Sequence, residues 1–314
     1  WDWTQGVTQS SLESFMACRE QFALGYVEGW SSRSFSVALE FGTLIHFMLE
    51  QLTTGDDPVI ISRRVTRSYA SSRKDTINPS DFGTMEQTLA NAEAIFPHYV
   101  KHWQEYDAQV SWLKREHVFR IPHKFLDFSG VTREVDLTGM RDGDIRDSAG
   151  GLGLFETKTK SSIDDIAIQD GLRADLQTCL YLYSLRREYR EEPTNILYNI
   201  IRRPQLRIKK DEPMDVYKQR VSDDIAERPE WYFRRFVVTV VPGDIENFIE
   251  TTLDPVLRQM YQWWESIKDD PFHRWASPYH YRSLPALMTK YGKAWHYNLS
   301  VRGLKNEYYQ KFSP

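Results

Sequence analysis

Only two cysteines, Cys18 and Cys179, occur in 314 residues, too few for a disulfide framework and without metal-ligand spacing. Such sparing use suits a reducing compartment, so a cytoplasmic location is expected. Long apolar runs are lacking too. Nothing approaches the roughly 18 residues of a membrane-spanning helix, and no membrane contact is expected. The chain starts at Trp1 without a basic-then-apolar leader, so a trimmed start is expected rather than a signal peptide. Excess positive charge is absent. A formal net charge of −4 excludes a uniformly basic nucleic-acid coat and leaves phosphate binding to local clusters. No Gly-x-x-x-x-Gly-Lys-[Ser/Thr] loop occurs, which excludes a built-in helicase motor. No internal repeat or low-complexity segment is evident.

Aromatic residues, by contrast, make up 14% of the chain, enough to fill a sizeable core, and one elaborated domain is expected. Ser10-Ser11-Leu12-Glu13 can form a capping box, with Leu12, Phe15, Met16, Phe22 and Tyr26 following at helical spacing. Val37, Phe41, Leu44, Ile45, Met48, Leu49 and Leu52 predict a second helix carrying His46 and Glu50 one turn apart. A third helix is expected from about Met85 to Trp103. The period then changes, and His117–Ile121, Glu134–Arg141 and Leu152–Thr159 read as strands. Ile163–Tyr189 reads as helical, Asn195–Arg202 and Trp231–Val241 as strands, with a long helix through Trp264 after them. That order predicts an α/β domain, a mixed central sheet flanked by helices.

Chemistry concentrates around Asp142 and Glu156-Thr157-Lys158. Strand alternation puts Glu156 and Lys158 on one face and Phe155 and Thr157 on the other. If Asp142 ends its strand and 148–153 makes the return, its carboxylate can approach Glu156 closely enough to share a divalent ion. Hard oxygen ligands of this kind suit magnesium or manganese, and a neighbouring lysine can position water or stabilise developing negative charge. Solvated strands carry Glu-x-Lys as well, so the pattern alone is ambiguous. Gln177 and Tyr181 share a helix face that Arg173 extends by one turn, and a plain polar helix surface would look the same. His46 is either a ligand or a satisfied histidine on a buried face.

Taken in order, Ser11-Leu12-Glu13-Ser14-Phe15 with Cys18, Gly42-Thr43-Leu44-Ile45-His46, Gly139 to Asp142, Glu156-Thr157-Lys158 and Gln177 to Tyr181 resemble the RecB-type branch of the PD-(D/E)XK nuclease superfamily. The resemblance is strongest to phage-encoded members, in which Asn199 to Arg207 and Arg228 to Arg235 also have counterparts. It covers roughly Ser10 to Arg235.

The resemblance implies a restriction-endonuclease-like core elaborated by helices at both ends: a helical part (1–110) with the histidine motif, a catalytic core (111–242) and a helical C-terminal part (243–314). It implies Asp142, Glu156 and Lys158 as catalytic residues and His46, Asp142, Glu156 and the Thr157 carbonyl as metal ligands. Gln177 and Tyr181, with Arg173, would support the site and contact nucleic acid. Many relatives, including the CRISPR adaptation nuclease, hold an iron-sulfur cluster on one early and three late cysteines. Here Leu287, Met288, Ala294 and Trp295 stand in the matching stretch Arg282–Tyr297, so no cluster is expected. Cys18 and Cys179 are then expected to be small buried residues.

Arg202, Arg203, Arg207, Lys209 and Lys210 can follow a DNA backbone or form an ordinary solvated loop. Trp231 to Arg235 offers stacking and cationic groups for single strands, or one buried strand face. Trp263 and Trp264 are assigned to packing. The function expected is a magnesium- or manganese-dependent exonuclease acting on linear DNA ends, partnered by a phage single-strand annealing protein in a bacterial host. A structure-specific or defence endonuclease on the same fold, and a non-cleaving recombination accessory protein, are the alternatives.

Overall fold

The computed structural model describes residues 3–27, 29–32, 35–164, 171–172, 175–269 and 309–311. Five strands, β1 (Ser111–Leu126), β2 (Thr132–Arg146), β3 (Leu152–Lys160), β4 (Asn195–Arg202) and β5 (Phe233–Thr239), lie side by side in chain order. Only β3 and β4 run parallel, and the other neighbours are antiparallel. The sheet is therefore mixed and the fold α/β, as the element order predicts. β4 is buried along almost its whole length, from Asn195 to Ile201, because both its faces are covered. β1 alternates instead, with Phe119, Ile121 and Phe125 buried between exposed Val118, Arg120 and Lys124.

Helices cover both faces. One layer holds α1 (Gln9–Ala17), α5 (Leu176–Tyr189) and α7 (Asp254–Ile267); its core joins Leu12, Phe15, Leu154, Leu180, Ile200 and Trp263. The other holds α2 (Val37–Gln51), α3 (Pro58–Arg73), α4 (Phe82–Asp107) and α6 (Met214–Glu227), meeting the sheet at Ile201 and Phe233. Trp263 packs edge-on against Phe15 and Phe22, so its assignment to packing holds. No helix among the described residues is long and apolar enough to cross a membrane.

Several local expectations change. The first helix is capped by Thr8, which exchanges hydrogen bonds with Ser11, and not by Ser10. It stops at Cys18, which is extended, and a separate turn of helix follows at Arg19–Phe22. α3 and α6 escape the sequence pattern because each buries a thin apolar stripe, Ile61, Val65 and Tyr69 in one and Tyr217, Val221 and Ile225 in the other. Ile163 and Asp164 lie outside any helix; α5 starts at Leu176, capped by Asp175, which accepts from the Thr178 amide. The strand expected from Trp231 begins at Phe233, since Pro229–Tyr232 makes a helical turn. Arg173 and the stretch Arg282–Tyr297 lie outside the described residues. Both cysteines are buried, and burial pushes the Cys179 thiol up to about 12, which makes it unreactive.

Candidate metal centre

The centre forms where two antiparallel strands part. β2 and β3 pair only from Gly143 opposite Phe155 to Arg146 opposite Leu152. Beyond that point the Asp142 carboxylate takes over the ladder, its Oδ2 accepting the Thr157 amide at 2.6 Å. Asp142 thus sits inside β2, which runs on to Arg146, rather than ending the strand as the sequence suggests. The return turn, 147–151, is tied by Asp147 accepting from the Ala149 and Gly151 amides.

The neighbours of Asp142 explain the Gly-Met-Arg-Asp order. A Cβ on Gly139 would lie 2.8 Å from the Phe119 ring and 3.2 Å from Tyr181, so only glycine admits both rings. Arg141 is fully buried and donates to both oxygens of Asp144, to Ser184 and to Glu188, fastening β2 to α5. Gly42 plays a similar part in α2, where an added Cβ would come 3.2 Å from the Thr159 hydroxyl of β3. That close approach brings His46, one turn later, to 3.5 Å between its Nδ1 and Asp142 Oδ1.

A further acid joins them that the sequence pattern does not reveal. Glu116 stands across from Asp142, between the paired residues Arg115–Gly143 and His117–Arg141. Its φ of 45° is left-handed, a strained setting for a side chain that aims the carboxylate at the centre. One ligand atom each from His46, Glu116 and Asp142 lies within 4.8 Å of the others. The run Lys114-Arg115-Glu116-His117, four ionisable residues in a strand, is the one signal that could have found it.

Glu156 and Lys158 are held on the α5 side. Lys158 Nζ is 2.7 Å from Glu156 Oε1, and Gln177 donates to the same oxygen at 3.0 Å while accepting from Lys158. Glu156 is fully buried, yet its Oε2 has no hydrogen-bond partner, and neither has Glu116 Oε2. Buried carboxylate oxygens without partners normally cost stability, and a cation can satisfy them, although only Glu116 of the two belongs to the group with His46 and Asp142. The donor set of carboxylates and one imidazole therefore fits a hard divalent ion.

Electrostatics follow from burial. Desolvation, reinforced by the other acids, pushes Glu116 up to about 9 and Glu156 up to about 7, and desolvation lifts Asp142 to about 6. Burial lowers His46, keeping its imidazole neutral and free to ligate. Burial would lower Lys158 as well, but the Glu156 carboxylate outweighs it and the amine is held above its ordinary value. At neutral pH it is an ammonium.

The other residues that the sequence singles out take separate places. Tyr181 is buried edge-on against Phe119 and bonds Gln177, so it supports the centre without reaching solvent. Arg202 lies over the Trp231 ring, 3.8 Å from its centroid. Arg203 lines a cleft of about 560 Å³ with Thr159, Lys160 and Asp175, next to the Lys158 strand. Arg207 is exposed on a segment tied to α6 through Arg220.

A family model described as the PD-(D/E)XK nuclease superfamily matches residues 6–278. No curated protein matches the chain. Among solved structures, one titled "Crystal structure of SSO0001" matches at 18% identity over 59% of this chain and 84% of that chain, with a TM-score of 0.25. A likeness at that score carries no argument.

Proposed function

The chain belongs to the PD-(D/E)XK nuclease superfamily, and from that premise we propose a magnesium- or manganese-dependent exonuclease of the RecB-like, phage type, hydrolysing DNA from its ends for recombination or replication. The superfamily carries the coarser statement, a metal-dependent nuclease. What supports the metal dependence is the grouping of His46, Glu116 and Asp142, with orphaned oxygens on Glu116 and on the buried Glu156 and an ammonium beside Glu156; the exonuclease and phage readings rest on the resemblance of the ordered motifs. In this reading residues 1–314 form one nuclease domain, with a phage-encoded single-strand annealing protein as partner in a bacterial cytoplasm.

His46, Glu116, Asp142 and Glu156, with the Thr157 carbonyl, would hold the cation. Bound there, a hard ion supplies Lewis acidity toward the phosphate and lowers the pKa of water. The chain does the positioning. Thr157 donates its amide to Asp142 and fixes that carboxylate, while Gln177 holds both Glu156 and Lys158. In the cation-free protein the Glu156 carboxylate holds Lys158 as an ammonium, and its part would be to position water or to stabilise charge on the phosphoryl oxygens.

End-labelled linear and covalently closed DNA, incubated with magnesium, manganese or chelator, tests the reading. Metal-dependent cutting of the linear form alone is expected, with Lys158→Ala slower by on the order of a hundredfold or more. Cutting of closed circles would replace the exonuclease by an endonuclease. Absence of any metal-dependent cleavage, or an unchanged Lys158→Ala rate, would overturn the assignment.

A further inference from the structure

A second cavity opens on the helical side of the centre, between α2 and α3. It encloses about 340 Å³ and is lined by Phe47, Glu50, Gln51, Arg64, Tyr69 and Ser72, among others. That volume lies in the usual range for small-ligand pockets, roughly 300–1,000 Å³. Its position follows from α2. Phe47 is the residue after His46, and Glu50 is one turn further along the same helix. Glu50 lies near enough to Glu116 for its charge to help raise that carboxyl.

Two features of the lining ask for an occupant. Tyr69 is only 7% exposed, and its hydroxyl is buried without any hydrogen-bond partner. Such a group normally finds one, and leaving it bare costs free energy. Phe47 is 46% exposed, a large apolar ring facing solvent beside a hydrolytic centre. Charge narrows the ligand. The cation of the lining, Arg64, is already spent on Asp56 at 2.7 Å and Gln51 at 3.0 Å, while Glu50 adds negative charge. A phosphate is therefore disfavoured. A flat, uncharged group with polar edges is favoured, having a π-face for Phe47 and an edge for the Tyr69 hydroxyl.

We propose that this cavity receives one unpaired nucleobase of the DNA strand engaged at the metal centre, stacked on Phe47 and hydrogen-bonded by the Tyr69 hydroxyl. The proposal rests on the nuclease reading and specifies its substrate: the strand must present an unpaired nucleotide close to the scissile phosphate. A base still paired has neither its hydrogen-bonding edge nor its second face free. Duplex ends must therefore open by at least one pair before cutting.

The test uses the full chain with a fluorescently labelled single-stranded oligonucleotide whose phosphorothioate linkages resist cleavage, with magnesium present. A second series carries one abasic residue moved stepwise along the strand. Phe47→Ala is expected to weaken binding roughly 5- to 100-fold, the range a lost base-stacking aromatic costs. Tyr69→Phe, which removes only the bare hydroxyl, is expected to weaken it about two- to tenfold without lowering the melting temperature. One abasic position should reproduce the Phe47→Ala loss in wild type and cancel the effect of both substitutions. Equal binding by wild type and both variants, or losses that persist at every abasic position, would overturn the pocket. Cleavage of ordinary DNA by the wild type judges the nuclease reading separately, so an active enzyme indifferent to abasic residues sinks only the pocket.

Discussion

Glu116 is the residue on which the centre turns, because it is an acid held in a left-handed backbone setting with one oxygen unpartnered. In the cation-free protein Glu116, Glu156 and Asp142 all bind protons more readily than in the unfolded chain. A carboxyl with a raised folded pKa gives stability that is complete below its unfolded value, near 4, and is lost as pH rises through the folded value. Here the loss runs through about 6 for Asp142, about 7 for Glu156 and about 9 for Glu116. Chelated protein should therefore melt progressively lower as the pH is raised across that window. Glu116→Gln cannot ionise and should flatten the upper end of the fall, which calorimetry across the same window reads directly. Ligation needs the ionised carboxylates, so manganese affinity should rise with pH, and Glu116→Gln should weaken it by roughly tenfold or more. An unchanged manganese affinity would remove Glu116 from the ligand set. His46, Asp142, Glu156 and Lys158 stand in motifs that single them out, and the structure brings His46 to Asp142 and Lys158 to Glu156. Glu116 was not legible, since strand alternation says nothing of a positive φ that redirects one side chain.

At the scale of elements, the centre depends on how closely β2 can be packed under α5. Gly139 sets that distance: the missing Cβ leaves room for the Phe119 ring on β1 and for Tyr181 on α5. Gly139→Ala should overpack the joint and cost about 1–3 kcal/mol. Gly83→Ala, in the first turn of α4 with nothing within 4 Å of the added carbon, should be neutral or slightly stabilising. Denaturant midpoints of the two variants compare a buried with an open glycine, and equal midpoints would show that the joint has slack. The strands were readable from the sequence, because Ile196, Leu197, Tyr198, Ile200 and Ile201 make β4 largely apolar and β1 alternates. α3 was not, because Ser62 and Thr66 complete its buried face and dilute the apolar period. The start of α5 at Leu176 has a local cause too, since the Asp175 cap is visible only once the Thr178 amide is seen to meet it.

Over the whole molecule the charge is slightly negative, so a polyanion gains nothing from the long-range field. Screening confines the attraction further, to about 8 Å at physiological salt. On the proposed function, binding of a DNA strand would then come from the few cations beside the centre. Lys160 and Arg203 line the 560 Å³ cleft beyond Lys158, and neither takes part in a salt bridge among the described residues. Lys158 adds a third charge when a cation draws Glu156 away from it. Each phosphate neutralised on a single strand contributes roughly −0.7 to the slope of log affinity against log salt. Three contacts give a slope of about −2, far shallower than a basic groove tracking six or more phosphates. Lys160→Ala with Arg203→Ala should bring the slope to about −0.7 while leaving the cation affinity of the centre unchanged. Fluorescence anisotropy of a phosphorothioate strand over a salt series measures the slope, and manganese titration of the same variant measures the affinity. A wild-type slope steeper than about −4, or one indifferent to the double substitution, would move the DNA path elsewhere, with the exposed Arg207 segment as the next surface to examine.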